Sequence, residues 1–405
     1  MPPIHLEGTT LEGGGQLLRI ALGLSSLTKI PIQITNIRGK RSGGGGLKAQ
    51  HLTSVQWLGK ASNARVSGVG LKSKEITFTP DPYCLTIERR KLEVSASTAH
   101  ILINQNTPGS ISLVFQAILP YLIFSGSNSP IQVRISGGTN VSNSPSYDYV
   151  QQVLLPMLSC IGIPPITSEL HSRGWSTGST RLGTTSYTIT PLPSGSSLPA
   201  FQLAQRGEIR HVKATILAPK ACESHFRDEL EVMFNKRRTA IFGDQGNENE
   251  TEFDVSFEPS GHDKRFYLLL VATTSTGYKL ARDWLYDHGI RTGKIDTVIS
   301  KMAKKVFADL IAEIEHGGCV DEYLRDQLVV FQALAKGRSR VSGGKLAPSL
   351  HAETAHWVVN MLLGVELDDD GGCEGVGFVA GQGVGKDGIE KTEADMVKAL
   401  DHLEV

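Results

Sequence analysis

The first long apolar stretch, residues 16–27, spaces its apolar positions at the helical period, and residues 31–37 follow with the two-residue alternation of a strand. A Gly-rich turn at 11–15 opens the helix. A polar loop, from Arg38 through the four glycines at 43–46, then leads to a second helix whose start carries Gln50 and His51 and whose body includes Val55 and Leu58. Strands expected at 77–79 and 85–88 close the unit. The order returns: Pro108-Gly109-Ser110 opens a helix over 111–124, 130–135 reads as a strand, and Ser136-Gly137-Gly138-Thr139 leads a loop into a helix from Pro145. A third round has a helix over 321–335, a short strand at 339–342, Gly343-Gly344 and a helix after Ser349. Three copies of helix, strand, polar loop, helix imply a pseudo-threefold assembly whose corresponding loops converge, with chance recurrence of α/β units as the alternative. On that alignment Gln50, Asp148 and His351 occupy comparable places near the starts of the second helices.

Between the second and third copies the rhythm breaks. Residues 209–216 read as a strand, 223–240 as a long charged helix, 253–257 and 266–273 as strands, and 278–288 as a helix. This predicts a small inserted α/β domain over 205–290, bounded upstream by the Pro/Gly/Ser-rich segment 191–199. It divides a large domain into its first two repeats, 1–204, and its third repeat with a tail, 291–405. The charged helix holds Lys236-Arg237-Arg238, a solvated face in the plainer reading and an RNA-contacting patch in the other. The tail at 387–405 reads as an exposed helix without chemistry.

A length of 405 residues suits two or three such units. Lys+Arg and Asp+Glu both number 41, so bulk charge does not point to nucleic acid and any phosphate binding must come from local clusters. Five scattered cysteines without a C-x-x-C pair argue against a disulfide framework or zinc knuckle and favour a reducing compartment. The first residues show no basic-then-apolar leader, and the most apolar run, 111–124, is interrupted by Gln116 and Pro120. A soluble intracellular protein is expected.

The chemistry is expected at Ser349-Leu350-His351-Ala352-Glu353-Thr354-Ala355-His356. Ser349 is a plausible N-cap, and Trp357, Val358, Met361 and Leu362 supply the apolar periodicity of the helix behind it. His351 then lies in the first turn, where free N–H groups and the helix dipole favour an approaching phosphate; the plainer reading is a surface or capping histidine. His351 and His356 are five apart, off the i, i+4 spacing that a zinc pair needs, and no G-x-S-x-G elbow is present. Glu12, three glycines, Gln16 and Arg19 stand at the entry to the first helix, where glycines permit close approach to a ligand and Arg19 could reach a phosphate. The run is neither a P-loop nor G-x-G-x-x-G. Arg38 and Arg41, with Lys40 and Lys48, form a basic loop cluster. Tyr323, Asp326 and Gln327 share a helix face at i, i+3, i+4, able to orient an imidazole or hold a ribose, or simply to cap and solvate.

Taken together, E-G-G-G-Q-L-L-R (12–19), I-R-G-K-R (37–41), Q-H-L-T (50–53), S-G-G-T (136–139), H-G-G-C-V-D-E-Y-L-R-D-Q-L (316–328) and S-L-H-A-E-T-A (349–355) resemble the RNA 3′-terminal phosphate cyclases of eukaryotic type, over nearly the whole chain. The resemblance implies an α/β (α+β) fold of three βαβαββ repeats in pseudo-threefold arrangement with a small inserted domain of thioredoxin-like topology. It implies an ATP-dependent, ligase-like enzyme that turns an RNA 3′-phosphate into a 2′,3′-cyclic phosphodiester, with Mg²⁺ or Mn²⁺, in the nucleus or cytoplasm. His351 matches the family nucleophile that accepts AMP. Arg19, Arg38 and Arg41 match its phosphate-handling arginines, with Gln16 in the same first motif and Gln50 beside the loop. Glu12 matches a carboxylate near the metal, Tyr323, Asp326 and Gln327 match the triplet around the nucleotide, and Pro145 matches a proline that borders the adenine. The chain departs from the pattern at the four glycines after Ser42, in lacking a P-x-G-G-G run over 174–183, and in an acidic turn at 366–370. A related ribosome-biogenesis group of the same fold lacks the histidine; it and a non-catalytic RNA-binding module are the competing expectations.

Overall fold

The computed structural model describes residues 1–41, 43–82, 94–95, 98–243, 252–287 and 295–382. The first repeat is β1 (Ile4–Glu7), α1 (Gly15–Thr28), β2 (Ile32–Thr35), α2 (Ala49–Ala61), β3 (Arg65–Ser67) and β4 (Ile76–Thr79). β1 and β2 run parallel across α1, and the hairpin strands add antiparallel, giving the order β1-β2-β4-β3. The second repeat contains β5 (Val94–Ser95), β6 (Thr98–Asn104), α3 (Ile111–Ile123), β7 (Ile131–Gly137), α4 (Tyr147–Tyr149), a π-turn at Val150–Leu154, α5 (Leu155–Cys160), β8 (Ile166–Ser172) and β9 (Gly183–Ile189). Its sheet, β5-β6-β7-β9-β8, repeats the first order with β5 added at one edge. The third repeat starts at β10 (Gln202–Leu203), which is parallel to a strand more than a hundred residues on because the inserted domain intervenes.

That domain comprises β11 (Ile209–Ala218), α6 (Glu223–Phe242), β12 (Glu252–Pro259), β13 (Phe266–Thr274), β14 (Lys279–Tyr286) and α7 (Ile295–His316). A parallel β11–β12 pair across α6, then an antiparallel hairpin, then a helix gives the sheet β12-β11-β13-β14, as expected for a thioredoxin-like topology. The third repeat resumes with α8 (Glu322–Leu334), β15 (Lys336–Val341), α9 (Leu350–Leu363) and β16 (Gly372–Val376), in the sheet β10-β15-β16.

Two apolar cores follow from the patterning. One runs from Leu6 to Ala380 through all three repeats, with α1 packed on α2, α3 and α9, and α8 on α9. The other lies between the inserted sheet and α6 and α7. The stripe Val298, Met302, Val306, Leu310 and Ile314 at four-residue spacing turns α7 onto this second core, so the inserted unit continues past the boundary expected at residue 290. The helix expected at 278–288 is instead strand β14 up to Tyr286, with His288 outside the described residues. Its apolar spacing fits both periods. The hairpin turn decides: Gly277 takes φ +85° and donates its N–H to Thr274, and β14 then pairs with β13 from Lys279 to Tyr286. The short strands β1 and β3 and the polar-alternating β8 and β9 add to the elements expected from the apolar pattern. The strand expected at 85–88 and the tail helix at 387–405 lie outside the described residues. Among the described residues no helix is long and apolar enough to cross a membrane.

One ion network joins the inserted domain to the second repeat. Arg173 makes a fork to Asp148, Nη1–Oδ2 2.7 Å and Nη2–Oδ1 2.9 Å, and also reaches Glu258 on β12 at 2.8 Å. The Asp148 side chain is only 5% exposed. Removing the guanidinium strands a buried carboxylate, so Arg173→Ala should lower unfolding stability by about 3–5 kcal/mol. Denaturant titration of Arg173→Ala checks this, and an unchanged midpoint would show that water replaces the arginine.

Candidate active site

Ser349 caps α9, its backbone extended and its Oγ accepting from Ala352 N at 3.3 Å. His351 is therefore the second residue of the helix, at its positive end, with about half of its side chain exposed. The loop before α1 comes up against it. Glu12 donates its backbone N–H to Thr354 Oγ1 at 3.2 Å, and that hydroxyl donates in turn to Leu350 O at 2.7 Å. This clasp brings Glu12 Oε1 to 4.0 Å from His351 Nδ1, too long for a hydrogen bond but close enough to be felt electrostatically. Arg41 makes an ion pair with the same carboxylate. Both Glu12 oxygens are buried and have no hydrogen-bond partner. Gly14 makes room for them, since a Cβ there would come within 2.1 Å of Glu12 Oε1 and 2.6 Å of the Arg41 guanidinium.

Arg19, one turn into α1, donates to Gln16 Oε1, and burial lowers its pKa to about 10 against the pull of Asp326. Gln16 is itself buried, so its amide serves to orient Arg19. Beside them His51 is buried, its Nδ1 accepting from Lys48 N at 3.2 Å and its Nε2 lying against Gly15. Burial, then Arg19, Arg38 and Lys48, push its pKa down to about 3, so it stays neutral. Arg38 is buried in the left-handed region, φ +55°, and donates to Gly46 O at 3.2 Å. Gln50 is engaged by the second repeat: its Oε1 accepts from Ser110 N at 3.0 Å, at the start of α3.

From the other side comes α8, capped by Asp321, with Tyr323, Asp326 and Gln327 on one face. Tyr323 is 44% exposed, whereas Asp326 is buried with one unpartnered oxygen. Burial pushes the Asp326 pKa up to about 7, opposed by Arg19. Gln327 is held, donating to Tyr323 O at 2.6 Å and accepting from Gln116 on α3 at 2.8 Å. Pro145 is half-buried just before Ser146, the cap of α4, and Tyr149 of that helix meets the Tyr323 ring edge-on with centroids 6.4 Å apart.

The His351 imidazole is held below its usual pKa, by burial first and then by Arg19 and Arg41, with Glu322 pulling the other way. A neutral imidazole at a helix N-terminus among guanidinium groups has a lone pair available to an electrophile, in surroundings that favour an anion such as phosphate. Glu12, Arg41 and His351 thus meet, with Arg19 and Asp326 close enough to perturb the site. Gln50, Arg38 and Gln327 are tied into neighbouring backbone and side chains. Thr354 and His51 join the expected residues: the first lies inside the 349–355 motif and the second beside Gln50, but neither motif shows that one clasps Glu12 and the other packs against Gly15. His356 feels Arg325, and burial lowers its pKa to about 4; among the described residues no group of three ligating side chains forms around the two α9 histidines.

The sequence model of a family described as RNA 3′-terminal phosphate cyclase matches residues 10–368. Among curated proteins, the RNA 3′-terminal phosphate cyclase of Desulfurococcus amylolyticus is 30% identical over 95% of this chain and 99% of its own length. That of Drosophila melanogaster is 30% identical, covering 93% of this chain and 97% of the relative. That of Staphylothermus marinus is 32% identical over 90% and 93% respectively. With the repeats, the insertion and the loop-to-helix clasp all within a match of this extent, the chain belongs to the RNA 3′-terminal phosphate cyclase family.

Proposed function

We propose that this chain converts an RNA 3′-terminal phosphate into a 2′,3′-cyclic phosphodiester at the expense of ATP, with His351 as the nucleophile. The observation that carries the reading is a neutral imidazole on the first turn of α9, clasped against Glu12 and set among Arg19 and Arg41. The Glu12 carboxylate on the Nδ1 side favours the Nδ1–H tautomer and leaves the Nε2 lone pair free. Nε2 attacks the α-phosphorus of ATP: an N–P bond forms, the α–β P–O bond breaks and pyrophosphate leaves. An oxygen of the RNA 3′-phosphate then displaces the histidine, taking AMP and restoring the neutral ring. The adjacent 2′-OH attacks the activated phosphorus, loses its proton, closes the ring and expels AMP. Each step is an in-line displacement at phosphorus, so positioning and charge neutralisation supply most of the rate.

Arg19 and Arg41 are the guanidinium groups whose charge reaches His351 and would neutralise phosphate oxygens. The open face of Tyr323 would take the adenine, with Pro145 across from it, and the unpartnered Asp326 oxygen would accept from a hydroxyl or amino group of the nucleoside. For Mg²⁺ or Mn²⁺ the fit is through Glu12, whose buried oxygens have no hydrogen bond; no cluster of three ligating side chains exists among the described residues, so phosphate and water would complete the shell. Such an ion would neutralise charge on the triphosphate. RNA with a 3′-phosphate end is the substrate in this reading.

Incubation with α-labelled ATP and Mg²⁺ or Mn²⁺ should label the protein through an acid-labile, hydroxylamine-resistant bond, and His351→Ala should abolish the label. Folded wild-type protein that takes no label would overturn the assignment. Because the imidazole pKa is lowered, the neutral nucleophile persists as pH falls below about 6.5, the usual value, and adenylylation should decline only below it. Arg41→Ala removes a repelling cation and unpairs Glu12, both of which favour the imidazolium, so its acid limb should move up in pH. A pH profile of single-turnover adenylylation reads both; an acid limb that does not move would mean that Arg41 is not felt at the ring. Gly14→Ala should cut adenylylation by on the order of tenfold or more by displacing the Glu12 carboxylate, and near-wild-type turnover would show that the loop absorbs the methyl group.

A further inference from the structure

We propose that Arg282, supplied by the inserted domain, is a positioning residue for Tyr323, so that the inserted domain sets how tightly the nucleotide base is held. The inference deepens the reading above and rests on Tyr323 as the base platform.

The Arg282 guanidinium carbon lies 4.6 Å from the centroid of the Tyr323 ring. The side chain is only 11% exposed and is held between Glu313 of α7 and Glu322, the first residue of α8, at 3.0 Å from the latter. It therefore cannot swing away without stranding the buried Glu313 carboxylate. The neighbouring residue of β14 fixes the helix itself: Ala281 donates its backbone N–H to Asp321 Oδ2 at 2.9 Å, while Asp321 Oδ1 accepts from Leu324 N at 2.9 Å and from Tyr149 OH at 2.7 Å. One strand of the inserted domain thus binds the cap of α8 by its backbone and the first aromatic ring of α8 by its side chain.

The consequences are chemical as well as steric. A cation against one face draws the ring quadrupole toward it and leaves the other face a better partner for an electron-rich purine. A tyrosine that keeps one rotamer before binding also loses less entropy when the base stacks. The prediction is a loss in ground-state nucleotide affinity, not in the phosphorus chemistry at His351.

The test compares Arg282→Met/Glu313→Leu, which removes the guanidinium without leaving the buried carboxylate unpaired, with Arg282→Lys and Tyr323→Ala in the full chain. Each is first shown to be folded by its melting transition. KM for ATP and kcat are then measured for the full reaction, cyclisation of an RNA 3′-phosphate, which frees His351 at each turn. The double variant should raise KM about 3- to 10-fold with kcat within about twofold of wild type, and Arg282→Lys should restore part of the loss. Added to Tyr323→Ala, the double change should do nothing further, because it acts through the ring. An unchanged KM in the folded double variant, an equal fall in kcat, or a further loss in the Tyr323→Ala background would each overturn the proposal. If Tyr323→Ala alone leaves KM unchanged, the base-platform reading fails and this inference fails with it, whereas a Tyr323 effect without an Arg282 effect removes only this inference.

Discussion

A helix with no solvent face decides where the site can be. α1 buries Leu17, Leu18, Ile20, Ala21, Leu22 and Leu24 over rather more than half its circumference and Gln16, Gly23 and Ser26 over the rest, so it has to lie inside the molecule with helices around it. α2, α3 and α9 are those helices, and Gly23 lets α3 approach: a Cβ there would stand 3.0 Å from Ala117 O. Once α1 is central, its N-terminus can open only at a seam between repeats, and it does so against α9. The glycine turn, Glu12 and Arg19 are thereby delivered to the first turn of another helix more than three hundred residues away in sequence.

The threefold repetition then gives that seam two counterparts, and the three differ in what the equivalent side chain is bound to. Gln50, Asp148 and His351 are each the second residue of the second helix in their repeats. Gln50 is spent on the N–H of Ser110, joining the first repeat to the second. Asp148 is spent on Arg173, which fixes the second repeat to the inserted domain. His351 faces Glu12 at 4.0 Å and keeps about half its surface open. One helix position thus serves twice as a fastener, and at its third occurrence it carries the open imidazole to which the proposed reaction assigns the nucleophile; the difference lies in the side chain and its neighbours rather than in the backbone.

How much of this was legible in the sequence follows from what kind of signal each feature leaves. The helices carried strong apolar periodicity and, for α9, a capping serine, so Ser349 and the placement of His351 in the first turn could be read directly. In β14, Leu280, Ala281, Trp284 and Leu285 suit a helix as well as a strand; strand pairing to β13 decides it, and single-residue spacing does not encode that pairing. α7 belongs to the inserted domain because its apolar stripe meets β13 and β14, a matter of which core it covers rather than whether it is a helix. At the site, residue types were readable and partners were not. Nothing in the sequence says that Thr354 accepts from Glu12 N, or that Gln50 turns toward α3, because both depend on contacts between distant repeats.

A net charge of zero conceals a separation of sign that bears directly on an anionic substrate. Around the inserted domain, burial raises the pKa of Asp283 to about 6 and of Glu313 to about 7, with Asp321 also pushed up, so adding negative charge there is unfavourable. At the seam of the first and third repeats the opposite holds: burial lowers Arg19, Arg38, Lys48, His51 and His351, and mutual repulsion adds to it at Lys48, His51 and His351. Groups of like sign crowded together in this way are relieved by a counter-ion, and a triphosphate is such a counter-ion. α8 lies across the boundary, with Asp321 and Glu322 on the acidic side and Asp326 facing the field of Arg19. In the proposed reaction a nucleotide laid along α8, base toward Tyr323 and phosphates toward His351, would place its neutral end by the acids and its charged end by the cations, and that separation of charge would orient it before any specific contact is made.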